Sequence, residues 1–336
     1  MSGERRSETT GERRSETTGE RRKETTGERR TDPRTNGSSP ASVDEPGTTV
    51  SGRGEADGRL DGEDLVLSYP GSDGPVVDGE SITAKAGAVT ALVGPNGSGK
   101  STLLKGLADQ LEPDSGSVLV DGRAIQSFDK KELARTVGLL SQESTSPNSI
   151  TVEDLVYHGR YPHRGFFEST TEADERAVDR AIELAGCGHL RDREVGSLSG
   201  GQKQLAWIAM VLAQDTDVLL LDEPTTFLDL RHQLEVMEIV ETLREESDIT
   251  VIVVLHDIQQ AARLADEMVA LEEGAIRARG TPEEVVTEEL LAEVFEVDAE
   301  VESTPRGPRI EPLRPRHDDD RERPTERVAR PDSGDS

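Results

Sequence analysis

Residues Val89-Thr90-Ala91-Leu92-Val93-Gly94-Pro95-Asn96-Gly97-Ser98-Gly99-Lys100-Ser101-Thr102 decide the fold. Five apolar or β-branched residues predict a short buried strand, a glycine-rich loop follows, and Leu103, Leu104, Leu107 and Leu111 then recur at helical spacing. The pattern G-x-x-x-x-G-K-[ST] between a strand and a helix is a phosphate-binding loop. Its glycines let the backbone wrap closely around phosphates with N–H groups pointing inward, and the helix that follows presents the positive end of its dipole. In this pattern Lys100 reaches the β- and γ-phosphates and Ser101 ligates Mg²⁺.

Two further apolar runs, Val218–Leu221 and Thr250–Leu255, do not alternate, which predicts parallel strands buried on both faces. Between the runs lie helical patterns such as Leu205, Ile208, Ala209 and Leu212, so the middle of the chain reads as a layered α/β core. Asp222 and Glu223 stand where the second run emerges, and carboxylates there are costly unless a cation or donors meet them. Asp222 suits Mg²⁺, directly or through water, and Glu223 is placed to polarise an attacking water. Met268–Leu271 and Ala275–Arg277 flank Glu272-Glu273-Gly274 as a hairpin. Thr281-Pro282-Glu283-Glu284 reads as a capping box with proline at the first helical position.

Leu198-Ser199-Gly200-Gly201-Gln202 precedes an amphipathic helix that begins near Lys203. Alone it is an N-capped helix start. A phosphate loop, then this pentapeptide, then the apolar run ending in Asp-Glu, resembles the ATP-binding-cassette family from Glu63 to Val301. The resemblance implies a P-loop NTPase (RecA-like) core with an antiparallel β subdomain and an α-helical signature subdomain, and it implies ATP and Mg²⁺ as ligands. Gly94 to Thr102 match the loop that holds the phosphates. Tyr69 resembles the aromatic that stacks on adenine, followed here by Pro70 and an insertion-like Gly71-Ser72-Asp73-Gly74. Gln142, after Val137–Ser141, matches the glutamine that senses the γ-phosphate, meets the metal and connects to a membrane partner. Asp229, ending Thr225-Thr226-Phe227-Leu228-Asp229, matches a loop that crosses a dimer interface, and His256 matches the switch histidine at the γ-phosphate. Ser199, Gly200, Gly201 and Gln202 face the phosphate loop of a second copy in that family.

A narrower resemblance lies in GRYPHRGFF at 159–167, QLAWIAMVLAQDT at 204–216 and LLLDEPTTFLDLRHQLEVMEIV at 219–240. These are similar to importer ATPases for iron(III)-siderophore, cobalamin or haem, most of all the siderophore group. The implied partners are a second copy, a multi-span membrane permease and, indirectly, an extracytoplasmic solute-binding protein, with no nucleic acid. The implied place is peripheral, on the cytoplasmic face of the cell membrane. A soluble ABC ATPase of the iron–sulfur assembly type carries the same chemistry and stays open here. His158 and His163 lie in a mixture of aromatic and basic residues that reads as a partner-binding surface rather than a paired-histidine metal site. Trp207 and Met210 read as packing residues.

The chain has 336 residues, with 39 Lys and Arg against 68 Asp and Glu. Residues 1–60 and 303–336 each carry equal numbers of the two signs, so the whole net charge of −29 sits between them. The acids are spread and arginine far outnumbers lysine, which reads as adaptation to concentrated salt rather than a docking face for a basic partner. Cys187 is the single cysteine, so an intramolecular disulfide is excluded and a small buried residue is expected. No apolar run has the length of a membrane span, and no secretory or twin-arginine signal is read. GERRSETT at 3–10 and 11–18, with GERRKETT at 19–26, opens a segment with nothing apolar to bury. Residues 1–60 therefore read as a disordered repeat tail and linker, 61–302 as one ATP-binding domain, and 303–336 as a disordered polar tail.

Overall fold

The computed structural model describes residues 59–142, 149–165 and 169–316; the octapeptide repeats and the chain after 316 lie outside the described residues. The path begins with β1 (Leu60–Leu67) and β2 (Val77–Ala84), then β3 (Val89–Val93), whose end feeds the glycine loop into α1 (Lys100–Leu107). With β4 (Ser115–Val120) and the short β5 (Arg123–Ala124), the first two strands form an antiparallel sheet ordered β2-β1-β4-β5. Next come α2 (Lys130–Thr136), β6 (Val137–Leu140), α3 (Val152–His158), α4 (Glu172–Leu184) and α5 (Gly200–Ala213). The last part runs β7 (Val218–Asp222), α6 (Leu230–Glu246), β8 (Thr250–Val254), α7 (Ile258–Leu264), β9 (Glu267–Glu272) and β10 (Ala275–Gly280). It closes with α8 (Pro282–Val285), α9 (Glu288–Glu293), β11 (Val297–Thr304) and β12 (Gly307–Pro315).

The second sheet has the order β10-β9-β3-β8-β7-β6 and is parallel except for β10. Every residue of β3, β7 and β8 is buried, because the sheet is covered on both sides. Val89, Ala91 and Val93 turn to the core made with α3 to α7, while Leu92 turns to the core shared with α1 and the antiparallel sheet. This alternation between two dry faces is why the runs do not alternate apolar with polar positions. Leu103, Leu104 and Leu107 of α1 are fully buried in the second core, each stabilising the fold by about 1.5–3 kcal/mol relative to exposure. Cys187 is likewise fully buried, and burial pushes its thiol up to about 11.

The helical part is held by its caps and one buried ion pair. Thr151, Thr171 and Ser199 close capping boxes at the starts of α3, α4 and α5, as Thr281 does for α8. Arg160 is 6% exposed; its Nε donates to Asp174 Oδ1 at 3.0 Å and its Nη1 to the Ala213 carbonyl at 2.7 Å. His163 Nε2 lies 2.6 Å from the Gln214 carbonyl, and His158 Nδ1 lies 2.7 Å from that of Asp154. The expected partner surface over 157–167 is thus corrected in part: Arg160 and His163 turn inward to tie α4 and the end of α5 together, while Tyr161 stays exposed. Phe166 and Phe167 lie outside the described residues.

The hairpin at Glu273 and Gly274 has positive φ at both positions, 50° and 81°, the primed turn that suits strand twist. The chain does not become a polar tail at 303, as composition predicts. β11 and β12 pair from Val297↔Pro315 to Thr304↔Gly307, and Val301 and Ile310 pack against the main core. Three prolines, Pro308, Pro312 and Pro315, disguised the second strand, yet a two-stranded ribbon has open edges where missing N–H groups cost little. No helix among the described residues is long and apolar enough to cross a membrane.

Candidate functional site

The glycine loop is built for close approach. Gly94 has φ 147°, and a Cβ there would stand 2.1 Å from the Leu271 carbonyl oxygen. Gly97 has φ 80° with open space beside it, so the loop keeps a left-handed bend and leaves room for a phosphate against its backbone. The β9–β10 turn backs the loop: Gly274 N–H donates to the Ser98 carbonyl at 3.0 Å. A Cβ at Gly274 would lie 2.2 Å from the Val76 carbonyl oxygen. Sequence reading found this turn without its contact, since nothing in a hairpin signature says what lies beneath it.

Lys100 is 4% exposed, and its Nζ donates to the Gly94 carbonyl at 2.9 Å, the Pro95 carbonyl at 2.8 Å and Ser98 Oγ at 3.3 Å. Burial holds its ammonium below the usual lysine range, while Glu223 and Asp222 pull it back up. Ser101 Oγ donates to Asp222 Oδ1 at 2.7 Å. Burial raises the Asp222 carboxyl, opposed by the Ser101 hydrogen bond. A serine hydroxyl beside a buried carboxylate is a hard oxygen pair of the kind Mg²⁺ takes, and a cation there would relieve the cost of burying the charge.

Glu223 sits just past the end of β7 with φ 52°, an uncommon conformation for a non-glycine residue and one concentrated at functional sites. Three donors converge on its Oε2: Gln142 Nε2 at 2.7 Å, Thr226 Oγ1 at 3.2 Å and His256 Nε2 at 2.7 Å. None of these bonds uses Oε1. Gln142 and His256, far apart in sequence, thus meet on the carboxylate beside the magnesium-type pair. Tyr69 lies against the first turns of α1, its hydroxyl 3.4 Å from Thr102 Oγ1 and its ring 5.9 Å from Lys105 Nζ. The insertion after it folds back through Ser72, whose Oγ donates toward the carbonyls of Tyr69 and Gly74 at 2.9 Å.

A second group of predicted residues stays apart. Ser199 Oγ accepts from Gln202 N–H at 3.3 Å and Gln202 Oε1 accepts from Ser199 N–H at 3.2 Å, the reciprocal cap of α5. Asp229 caps α6, and bonds from the His232 backbone and ring hold its carboxyl below the usual range. Among the described residues, no hydrogen bond joins Ser199–Gln202 or Asp229 to the loop at 94–102. Within one chain the predicted site is two half-sites.

The loop, the acidic strand end and the separate glycine turn define a nucleotide-hydrolysing cassette. The ABC transporter family model matches residues 77–226, and the chain belongs to this family as an ATP-binding, ATP-hydrolysing subunit. It is 47% identical to the ferric enterobactin transport ATP-binding protein FepC of Escherichia coli (strain K12), covering 72% of this chain and 88% of that one. It is 40% identical to the iron(3+)-hydroxamate import ATP-binding protein FhuC of Bacillus subtilis (strain 168), covering 74% and 91%. Among solved structures it superposes on a metal-chelate type ABC transporter in an inward-facing conformation. There the TM-score is 0.65 and the identity 27%, covering 77% of this chain and 98% of that one.

Proposed function

We propose that the chain energises import of an iron(III)-siderophore-type chelate as one of two identical ATPase subunits. They sit peripherally on the cytoplasmic face of a multi-span permease fed by an extracytoplasmic solute-binding protein. The observation that carries the motor is the convergence of Gln142, Thr226 and His256 on Glu223 beside Lys100, Ser101 and Asp222. The separation of Ser199 and Asp229 from that cluster supports completion of the site by a second copy. The cargo rests on likeness to two import subunits for different ferric chelates.

In this reading Gly94–Thr102 wrap the phosphates, Lys100 meets the β- and γ-oxygens, and Tyr69 faces the adenine. Ser101, Asp222 and Gln142 hold Mg²⁺, which when bound neutralises phosphate charge. Glu223 orients water and accepts its proton as the water oxygen bonds to the γ-phosphorus. The bond from that phosphorus to the β–γ bridging oxygen breaks, and ADP takes the electron pair. His256 donates to the γ-phosphoryl oxygens, and Ser199 with the Gly200 and Gly201 amides does so from the second copy. Asp229 crosses between the copies. Loss of the γ-phosphate removes the acceptor both copies share, so they part and the permease follows.

Cells lacking the chain are expected to lose uptake of a radio-iron catecholate or hydroxamate chelate, with recovery by the wild-type chain and none by Glu223→Gln. Unchanged iron uptake together with loss of another solute would overturn the cargo.

The acidic middle also supports a salt-adapted surface. At about 1 M salt the Debye length is ~3 Å, so mutual repulsion of unpaired carboxylates is screened. The melting temperature is expected to rise by several degrees from low salt to molar KCl; a fall over that range would contradict the salt-adaptation reading.

A further inference from the structure

The first turn of α6 makes contacts that the roles above do not use. Asp229 Oδ1 accepts two bonds from one residue, the His232 N–H at 3.0 Å and His232 Nδ1 at 2.7 Å. The imidazole is therefore pinned beside the carboxylate, with its side chain only 20% exposed although it lies on a surface turn. Its ring also fills the space next to the signature. A Cβ added to Gly201 would lie 2.4 Å from His232 Cγ and Cδ2 and 2.7 Å from Nδ1. Gly201 lies inside α5, where any residue could take the backbone angles, so glycine is demanded there by the ring. A Cβ added to Gly200, by contrast, would enter open space.

The neighbouring side chain turns to the opposite half of the site. Gln233 Nε2 donates to the Leu228 carbonyl at 3.1 Å, and its Oε1 accepts from Gln260 Nε2 at 3.0 Å. Gln260 belongs to α7, which starts directly after His256 and Asp257. The turn that carries His232 is thus fixed to the Glu223 side of the molecule, and His232 extends that fixed base to Gly201 of the signature.

We propose that His232 is a positioning residue that locks the Asp229 loop and the Ser199–Gln202 turn into one unit presented to the second copy of the chain. This rests on the two-copy reading above. With the lock in place, a copy docking on the signature also sets Asp229, and neither has to be ordered separately when the copies meet.

The test has two arms on the full chain. In the first, nucleotide-free protein is melted as a four-variant cycle of wild type, Gly201→Ala, His232→Ala and the double variant. Gly201→Ala is expected to lower the melting temperature in the wild-type background and to have no such effect once His232 is alanine. Additive effects would overturn the packing. In the second arm, ATP-dependent dimerisation is measured by sedimentation in a Glu223→Gln parent. Adding His232→Ala is expected to raise the protein concentration needed for the dimer about tenfold, the scale of one charge-assisted hydrogen bond, with ADP affinity unchanged. His232→Asn, whose amide can still donate to Asp229, is expected to restore the dimer. A His232→Ala protein that dimerises like the parent, or an asparagine variant no better than alanine, overturns the positioning role. A parent that stays monomeric with Mg²⁺-ATP removes the two-copy reading itself, and that result is seen before His232 is changed.

Discussion

Lys100→Ala is expected to abolish measurable ATP turnover and to weaken ATP binding together. The ammonium is buried and held by Gly94, Pro95 and Ser98, all within the loop itself. Burial lowers its pKa, and two carboxylates, Glu223 and Asp222, oppose that shift. A phosphate entering the loop meets a cation already dehydrated and aimed, so little reorganisation accompanies binding. Removing one such preorganised donor lowers kcat by on the order of 10²–10³-fold, and loss of a charge-assisted bond to the ground-state phosphates weakens affinity as well. Calorimetric titration with Mg²⁺-ATP and phosphate release should fall in parallel. A melting curve of the variant separates this from unfolding, because the substitution also leaves three acceptors without their donor. Wild-type turnover in a folded Lys100→Ala protein would sink the phosphate-loop role.

The parts of this site that were legible in the sequence are those where chemistry and local structure demand the same residues. Gly94, Gly97 and Gly99 are needed for positive φ as well as for phosphate approach, so the loop reads twice over. The strand ends are legible because a buried run that stops at Asp222 leaves few cheap alternatives for a carboxylate. Contacts between distant segments were not legible from periodicity. Gln142, Glu223 and His256 lie in three separate segments, and only family likeness put them together before the sheet order β8-β7-β6 brought their ends side by side. His232 had no signal, since a histidine three residues after a helix cap looks like an ordinary surface residue. The β11–β12 ribbon was missed because its apolar content is small: Ala299, Val301 and Ile310 reach the core, and Arg314 and Arg316 supply the rest by pairing with Asp298 at 2.7 and 3.2 Å.

Glu223→Gln and Asp222→Asn are expected to fail in different ways, although the residues are adjacent. Glu223 Oε2 already serves Gln142, Thr226 and His256, and a glutamine can turn its carbonyl oxygen to the same three donors. The local frame therefore survives, along with the left-handed backbone. What goes is the negative charge, and with it the group that polarises water and takes its proton, worth on the order of 10²–10⁴-fold in kcat. ATP should then bind and persist, and because the intact γ-phosphate is what joins the copies, Glu223→Gln should accumulate as a dimer with two nucleotides. Asp222 has another task. Its Oδ1 holds Ser101 at 2.7 Å in a buried setting that already strains the charged form; asparagine keeps that bond and relieves the burial, so the fold should be no less stable. Mg²⁺ loses its anionic partner, and metal-dependent nucleotide binding and dimer formation should both be lost. Size-exclusion chromatography with and without Mg²⁺-ATP, beside phosphate release at high salt, reads both variants. A Glu223→Gln protein that hydrolyses ATP at the wild-type rate would remove Glu223 as the base. An Asp222→Asn protein that still forms the Mg²⁺-dependent dimer would move the metal away from the end of β7.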